Sequence, residues 1–144
     1  MSQREPILQA LETMLIGALS DVHFSRNETR ADDISAGAAN VSLFDGAPRE
    51  VEALLGDGYA VEHAAELEIT LAEVDQAIRD QRFSDLIDAV HDAVAGDPTL
   101  GGLVDHMEVE AVSDPLEAGI EGMSGVKAGL VPIVFWYVAT RATG

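Results

Sequence analysis

The chain contains no cysteine, and this absence excludes a disulfide framework and a thiolate metal site. Basic residues are also few: eight Lys and Arg stand against 26 Asp and Glu, which gives a formal net charge of −18. The eight are scattered along the sequence, so no basic stripe can neutralise phosphates, and direct binding of nucleic acid is disfavoured. A solubilising surface is the simplest interpretation of the acidity. An acidic channel wall that DNA slides past, and a DNA mimic, are the sharper alternatives.

Long hydrophobic runs are missing as well. The longest uncharged run, Ala128 to Thr140, contains Pro132 and is too short to span a bilayer as a helix. A shorter apolar stretch at residues 14–19 follows Glu5 and Glu12 and precedes no small-residue cleavage site, which indicates an amphipathic helix instead of a signal peptide. We therefore expect a protein that is made in a cytoplasm and has no membrane partner.

Residue sets for bond-making chemistry are also absent from the sequence. Neither G-x-S-x-G nor a glycine-rich phosphate loop occurs, and carboxylate pairs are expected by chance in so acidic a chain. None of the four histidines lies at a metal-ligand spacing from another on one element: His23, His63, His91 and His106. We expect no catalytic residue, no metal and no cofactor, and therefore a protein that is not an enzyme.

The most informative segment that is present runs from Tyr59 to Leu71. Its residues alternate in polarity, which is typical of a long strand with one buried face and one wet face. The odd positions are apolar apart from one histidine, and the even positions carry Glu62, Glu66, Glu68 and Thr70. At ~3.3 Å per residue this strand would span roughly 43 Å, whereas a compact chain of this length has a diameter of roughly 40 Å. A strand that overhangs its domain usually has a partner.

This overhang predicts a contact with a partner, for which the candidate residues are Tyr59, Val61, His63 and Ala65; the family resemblance given below implies that the partner is a second copy of the chain. His63 itself is expected to be a core or interface histidine rather than a metal ligand. A pH-sensitive contact at a subunit boundary is the alternative role for it.

Periodicity and turn signals predict the elements that precede this strand. A 3.6-residue apolar period indicates a helix from about Glu5 to Ser20. A surface loop follows, with a short strand near Val22 to Ser25, and then a strand over Ala39 to Phe44. Pro48 to Leu55 is predicted to form two helical turns, closed by the glycine pair at positions 56 and 58.

Beyond the long strand, a second helix is predicted from Asp75 or Ser84 to Ala95, with Ser84 as its N-cap. Leu103 to Val112 alternates in polarity and reads as a strand. Val126 to Val138 reads as a nearly continuous apolar strand, and Pro132 within it suggests an edge position or a bulge.

Between those two strands, Ser113 to Gly125 is predicted to be a loop. Three of its apolar residues, Leu116, Ile120 and Met123, either fold back onto the domain or contact a neighbouring subunit. The sequence favours neither, because Glu117 and Glu121 between them suit both.

The predicted order of elements is α-β-β-α-β-β in a single domain over residues 1–144. Paired strands separated by helices favour an antiparallel or mixed sheet with its helices on one side. We therefore expect an α+β fold with a sheet of about four strands and two helices packed on one face.

Three segments carry a resemblance to a known family: Q-R-E-P-I-L-Q-A-L-E-T-M-L near the start, T-L-G-G-L-V-D-H-M-E-V-E after the second helix, and L-V-P-I-V-F near the end. They resemble the tail terminators, or minor tail proteins, of long-tailed phages and gene transfer agents. The resemblance spans most of the chain in element order. It implies a hexameric ring that stops tail-tube growth and joins the tail to the head connector, while DNA passes through the centre.

The resemblance implies four partners: copies of the chain, the tail tube protein, the head-tail connector or stopper protein, and DNA that is not bound specifically. The expected location is the head-proximal end of the virion tail, after assembly in the host cytoplasm. A head-completion or stopper protein of the neck is the first alternative. An acidic DNA mimic that inhibits a nuclease is an alternative from another class.

Overall fold

The structure, a computed structural model, describes residues 3–28, 38–118 and 125–142. Its elements are α1 (Arg4–Ala18), β1 (His23–Arg26), β2 (Ala39–Ala53), β3 (Tyr59–Ala72), α2 (Gln76–Gly96), β4 (His106–Val109), β5 (Ser113–Ala118) and β6 (Val126–Ala139). One sheet of six strands has the order β1-β2-β3-β6-β4, and β5 pairs with β6. Because β1 pairs with β2 in parallel and the other pairs are antiparallel, the sheet is mixed. The predicted α+β class is confirmed.

The long alternating strand is confirmed as β3, which spans 14 residues. Its odd positions from 61 to 71 are all buried, at 1% exposure or less. Apart from His63, they belong to the same hydrophobic core cluster as Leu8 and Leu11 of α1 and Phe83 and Val90 of α2. The two helices therefore cover one face of the sheet, called the helix face below. The even positions of β3 point to the opposite side, because neighbouring residues in a strand point to opposite sides. This side is open from Glu62 to Glu68 and is called the open face, whereas Thr70 and Ala72 at the end of the strand are buried.

The first correction concerns Pro48 to Leu55, which is not helical. Strand β2 continues to Ala53, and its last residues pair with the start of β3, as in Val51 with Val61 and Ala53 with Tyr59. This pairing overrides the weak local preference of the segment, as tertiary context commonly does. The two strands are joined by a tight turn in which the Leu54 amide donates to the Gly58 carbonyl at 3.0 Å.

Strand β2 reaches this turn only after two irregularities, one between Phe44 and Ala47 and one between Pro48 and Glu50. Each adds one residue to β2 relative to β3 and so acts as a β-bulge. One added residue would exchange the two faces of everything that follows it. Two added residues restore the original alternation, so Val51 returns to the helix face.

The second correction concerns Pro132, for which an edge position or a bulge was predicted. It lies in β6, which is an interior strand of the sheet. β6 pairs with β3 on one side and with β4 and β5, end to end, on the other. The Glu110 amide donates to the Pro132 carbonyl at 2.9 Å. In an antiparallel strand the N–H and C=O of one residue face the same neighbour. The missing N–H of Pro132 therefore falls at the junction between β4 and β5, where no ladder is interrupted.

Three boundaries also differ from or refine the sequence-based prediction. The short strand expected near Val22 to Ser25 is present as β1. Part of the predicted loop, Ser113–Ala118, is strand β5, because β6 offers an unoccupied edge there. Helix α2 begins earlier than Ser84: its N-cap is Asp75, whose side chain accepts a hydrogen bond from the Ile78 amide.

Candidate functional site

The residues predicted as an interface on β3 lie in the core instead. Val61, His63 and Ala65 are buried, and Tyr59 is half-buried at the end of the strand. Over its whole length β3 pairs with β2 on one side and with β6 on the other. Edge pairing with a neighbouring subunit is therefore not open to β3, because both edges are already occupied.

His63 has a structural position in this core. Its Nε2 lies 2.5 Å from the Asp45 carbonyl oxygen, and its ring stacks on Phe135 with centroids 4.7 Å apart. Burial lowers the pKa of His63, so the neutral ring donates its Nε2 proton to that carbonyl. Because Asp45 belongs to the first bulge of β2, His63 holds the bulge in place. Within the described residues its Nδ1 has no partner.

The second predicted interface set falls mostly outside the described residues. Ile120 and Met123 lie there, and only the backbone of Leu116 is placed, in β5 opposite Ala128. This half of the interface prediction stays untested.

The open face of the sheet lies opposite the helix face, and neither α1 nor α2 covers it. Apolar residues of β6 run along its middle, among them Leu130, Val134 and Trp136. Carboxylates flank this strip on the neighbouring strands and form what we call the acidic face: Glu50, Glu52, Glu62, Glu66, Glu68 and Glu108, with Glu110 just after β4. The face therefore presents rows of negative charge on both sides of a narrow apolar centre.

Arg49 is the one lysine or arginine on this face among the described strand residues. Its guanidinium lies across β3 and β6. One nitrogen bonds Glu62 at 3.2 Å, and two bond Glu110 at 3.0 and 3.3 Å. The Trp136 indole donates to Glu62 at 3.0 Å, and the His106 ring stacks on that indole. These contacts tie four strands together and hold Glu62 and Glu110 in fixed positions.

The end of the β2–β3 hairpin is a second distinctive surface. Every residue of β2 from Arg49 to Ala53 is exposed, since β1 pairs with β2 only at residues 40–43 and leaves this part of β2 at the edge of the sheet. Four large apolar side chains are exposed around it and define the hairpin end: Val51 (41%), Leu54 (39%), Leu55 (107%) and Val138 of β6 (46%). A Cβ placed on Gly58 would lie 3.3 Å from Val138 and 3.9 Å from Leu54, so these two side chains lie side by side.

The hairpin end was missed by the sequence analysis, although a signal existed. Leu54 and Leu55 directly precede the Gly56-Asp57-Gly58 turn. Exposed leucines beside a tight turn are unusual, because turn residues are normally polar. The prediction of two helical turns over Pro48 to Leu55 did not use this signal. The exposed apolar residues thus lie at the hairpin end and not in the middle of β3.

Among the described residues, no group of three or more His, Asp or Glu side chains could hold a metal ion. Neither helix in that part of the chain combines the length and the apolar character needed to cross a bilayer.

No protein-family model matches the chain, and no curated protein matches it significantly. Any functional assignment therefore depends on the residues and surfaces described above.

Proposed function

We propose that this protein is a structural component of a virion, a tail terminator. Copies of it form a ring at the head-proximal end of a phage or gene transfer agent tail. The ring stops growth of the tail tube and joins it to the head connector or stopper protein. DNA passes through the ring without being bound.

The acidic face is the observation that carries this proposal. A protein that surrounds moving DNA needs a wall without affinity for phosphate, and carboxylates on β2, β3 and β4 provide such a wall. The sole arginine of the face among the described strand residues is held by Glu62 and Glu110, so its charge is already matched. At physiological ionic strength repulsion acts over a Debye length of about 8 Å. The face would therefore act on DNA only inside a narrow channel.

The arrangement of layers supports the same function. Both helices lie on one face of the sheet, and the acidic face is on the other. In a ring whose strands run around the circumference, the helices would form the outer layer and the carboxylates the inner surface. The hairpin end would then point toward the next copy.

The first test is the native mass of the purified protein, alone and with tail tube protein, followed by electron microscopy of the tubes. The proposal expects a ring-sized oligomer and a cap at one end of each tube. A strict monomer that leaves tube length unchanged would refute it. If instead the protein binds only the head connector, a stopper role in the neck replaces the terminator role.

A charge experiment tests the role of the acidic face directly. The double variant Glu66→Gln, Glu68→Gln removes two charges there and leaves the Arg49 contacts intact. The matched control removes two exposed charges from α2, away from the groove between the helices, through Asp88→Asn and Asp92→Asn. We expect slower DNA ejection from particles with the first variant only. Equal ejection rates would assign the acidity to solubility.

One observation favours a DNA mimic as the second candidate. Glu66 and Glu68 are two residues apart on β3 and point to the same side, so their backbone positions lie roughly 7 Å apart. Further carboxylates lie on the neighbouring strands. A flat array of this kind could occupy a basic, DNA-binding surface of a nuclease. This candidate requires a monomer or dimer that binds a nuclease tightly, so the native-mass measurement separates it from the ring.

A further inference from the structure

We propose that the hairpin end of one copy inserts into a groove between α1 and α2 of a second copy. This inference deepens the proposed function and rests on it, since a ring requires a contact whose two halves lie on different parts of each copy. The hairpin end supplies the convex half of this contact.

The concave half is a groove with a volume of about 280 Å³. It is lined by the residues that follow α1 and by the middle of α2. Its apolar walls are Leu19, Val22, Leu86 and Ala89. We call it the α1–α2 groove. An exposed leucine pair and the apolar walls of this groove match in chemistry, because burying a leucine side chain in an apolar contact is favourable.

The charges at the two surfaces are complementary at one point. Asp57 lies in the hairpin turn beside Leu54 and Leu55, and Arg82 lies on the rim of the groove. Arg82 also contacts Glu73 of its own chain at 3.6 Å, so an incoming Asp57 would join an existing ion pair. The rim also carries Asp21 and Asp85, whose negative charges repel the incoming Asp57. The apolar contact therefore supplies the affinity, and Arg82 fixes the orientation.

The two surfaces lie at opposite ends of the sheet. The groove adjoins the loop before His23, and β1 begins there beside Asn40, near the start of β2. The hairpin end lies beyond Ala53, where β2 finishes. A contact between opposite ends is head-to-tail and heterologous, and it closes into a ring when its rotation allows. It also leaves the acidic face uncovered along the row of copies.

Two single substitutions test this contact. Leu55→Asp places a charge at the hairpin end, at a fully exposed position where folding should not suffer. Ala89→Arg fills the mouth of the groove with a long side chain at a half-buried helical position. Each variant alone should associate about 10- to 100-fold more weakly than the original chain. Leu103→Asp, at a leucine that is 47% exposed elsewhere on the surface, is the control and should assemble normally.

Mixing the two variants gives the decisive measurement. One copy then offers an intact groove and the other an intact hairpin end, so the mixture should form 1:1 dimers and nothing larger. Circular dichroism and thermal unfolding of each variant establish that it is folded. Mass photometry or analytical ultracentrifugation gives the stoichiometry. A folded mixture that stays monomeric, or single variants that assemble like the original chain, would overturn the contact.

Two measurements test the contact and the terminator function independently: the association of copies at different salt concentrations, and the capping of tail tubes. Copies of net charge −18 repel one another, so added salt should strengthen their association, whereas a basic partner would be released. Rings that form but do not cap tubes would refute the terminator function and leave the contact standing. Leu55→Asp rings that still cap tubes would refute the contact and leave the function standing. An original chain that is monomeric at every salt concentration would refute the contact itself.

Discussion

The first bulge of β2, between Phe44 and Ala47, should tolerate an added side chain poorly, and Gly46→Ala tests this. Gly46 has a φ of +67°, and a Cβ at this position would lie 1.8 Å from the Ala64 carbonyl oxygen. No side chain can accept that distance, so the strand pairing must shift. The left-handed conformation costs a non-glycine residue roughly 1–2 kcal/mol, and overpacking typically costs a further 1–3 kcal/mol. We expect a loss of about 2–5 kcal/mol in the free energy of unfolding.

The matched control is Gly101→Ala. Gly101 has nearly the same backbone conformation, with a φ of +65°, but a Cβ there meets nothing within 4 Å. It should therefore lose only the conformational part, roughly 1–2 kcal/mol. Urea unfolding of both variants, followed by circular dichroism, measures the two losses. If Gly46→Ala is no more destabilising than Gly101→Ala, the close packing of the bulge against β3 is not as described.

Three further predictions concern β3 and its neighbours. Because burial lowers the pKa of His63, the folded state stays neutral while the unfolded state gains a proton below its usual pKa of 6.5. The urea midpoint should therefore fall from pH 7.5 to pH 5.5, and this slope should be smaller in His63→Gln. Arg49→Gln should cost less than about 1 kcal/mol, since its ion pairs are exposed, yet shift the fluorescence of Trp136. Deleting residues 61–65 should unfold the protein, as loss of far-UV circular dichroism would show.

The deletion prediction reverses what strand length alone implied. From the sequence, Tyr59 to Leu71 was correctly placed as a strand, with its buried and wet faces assigned, because side chains alternate with a period of two. Periodicity contains no information on which strands lie at either side. Only the sheet order shows that β3 has no free edge. The interface predicted at Val61 and His63 was inferred from strand length, and strand length does not determine whether a strand lies at the edge of its sheet.

The remaining differences have a similar cause. The short strand β5 and the last residues of β2 exist because a neighbouring strand offers unpaired backbone groups, and their own residues indicate little. The same holds for Arg49, whose partner Glu110 is 61 residues away in the sequence. Local pattern therefore predicts the long elements and the acidic character of one sheet face. Contacts between distant residues decide the network on that face and the position of the hairpin end.

The paired bulges of β2 restrict how this hairpin can change in length. Removing one residue between Asp45 and Arg49 would turn Glu50 and Glu52 toward the helices and Val51 toward the acidic face. Removing two would preserve both surfaces and only shorten the loop of backbone that His63 holds. Whether the number of residues added or removed here is even or odd thus decides whether the two faces of the hairpin are kept. In relatives of this chain, insertions and deletions in this segment should come in even numbers, and an odd change should be found only where the hairpin end has lost its role.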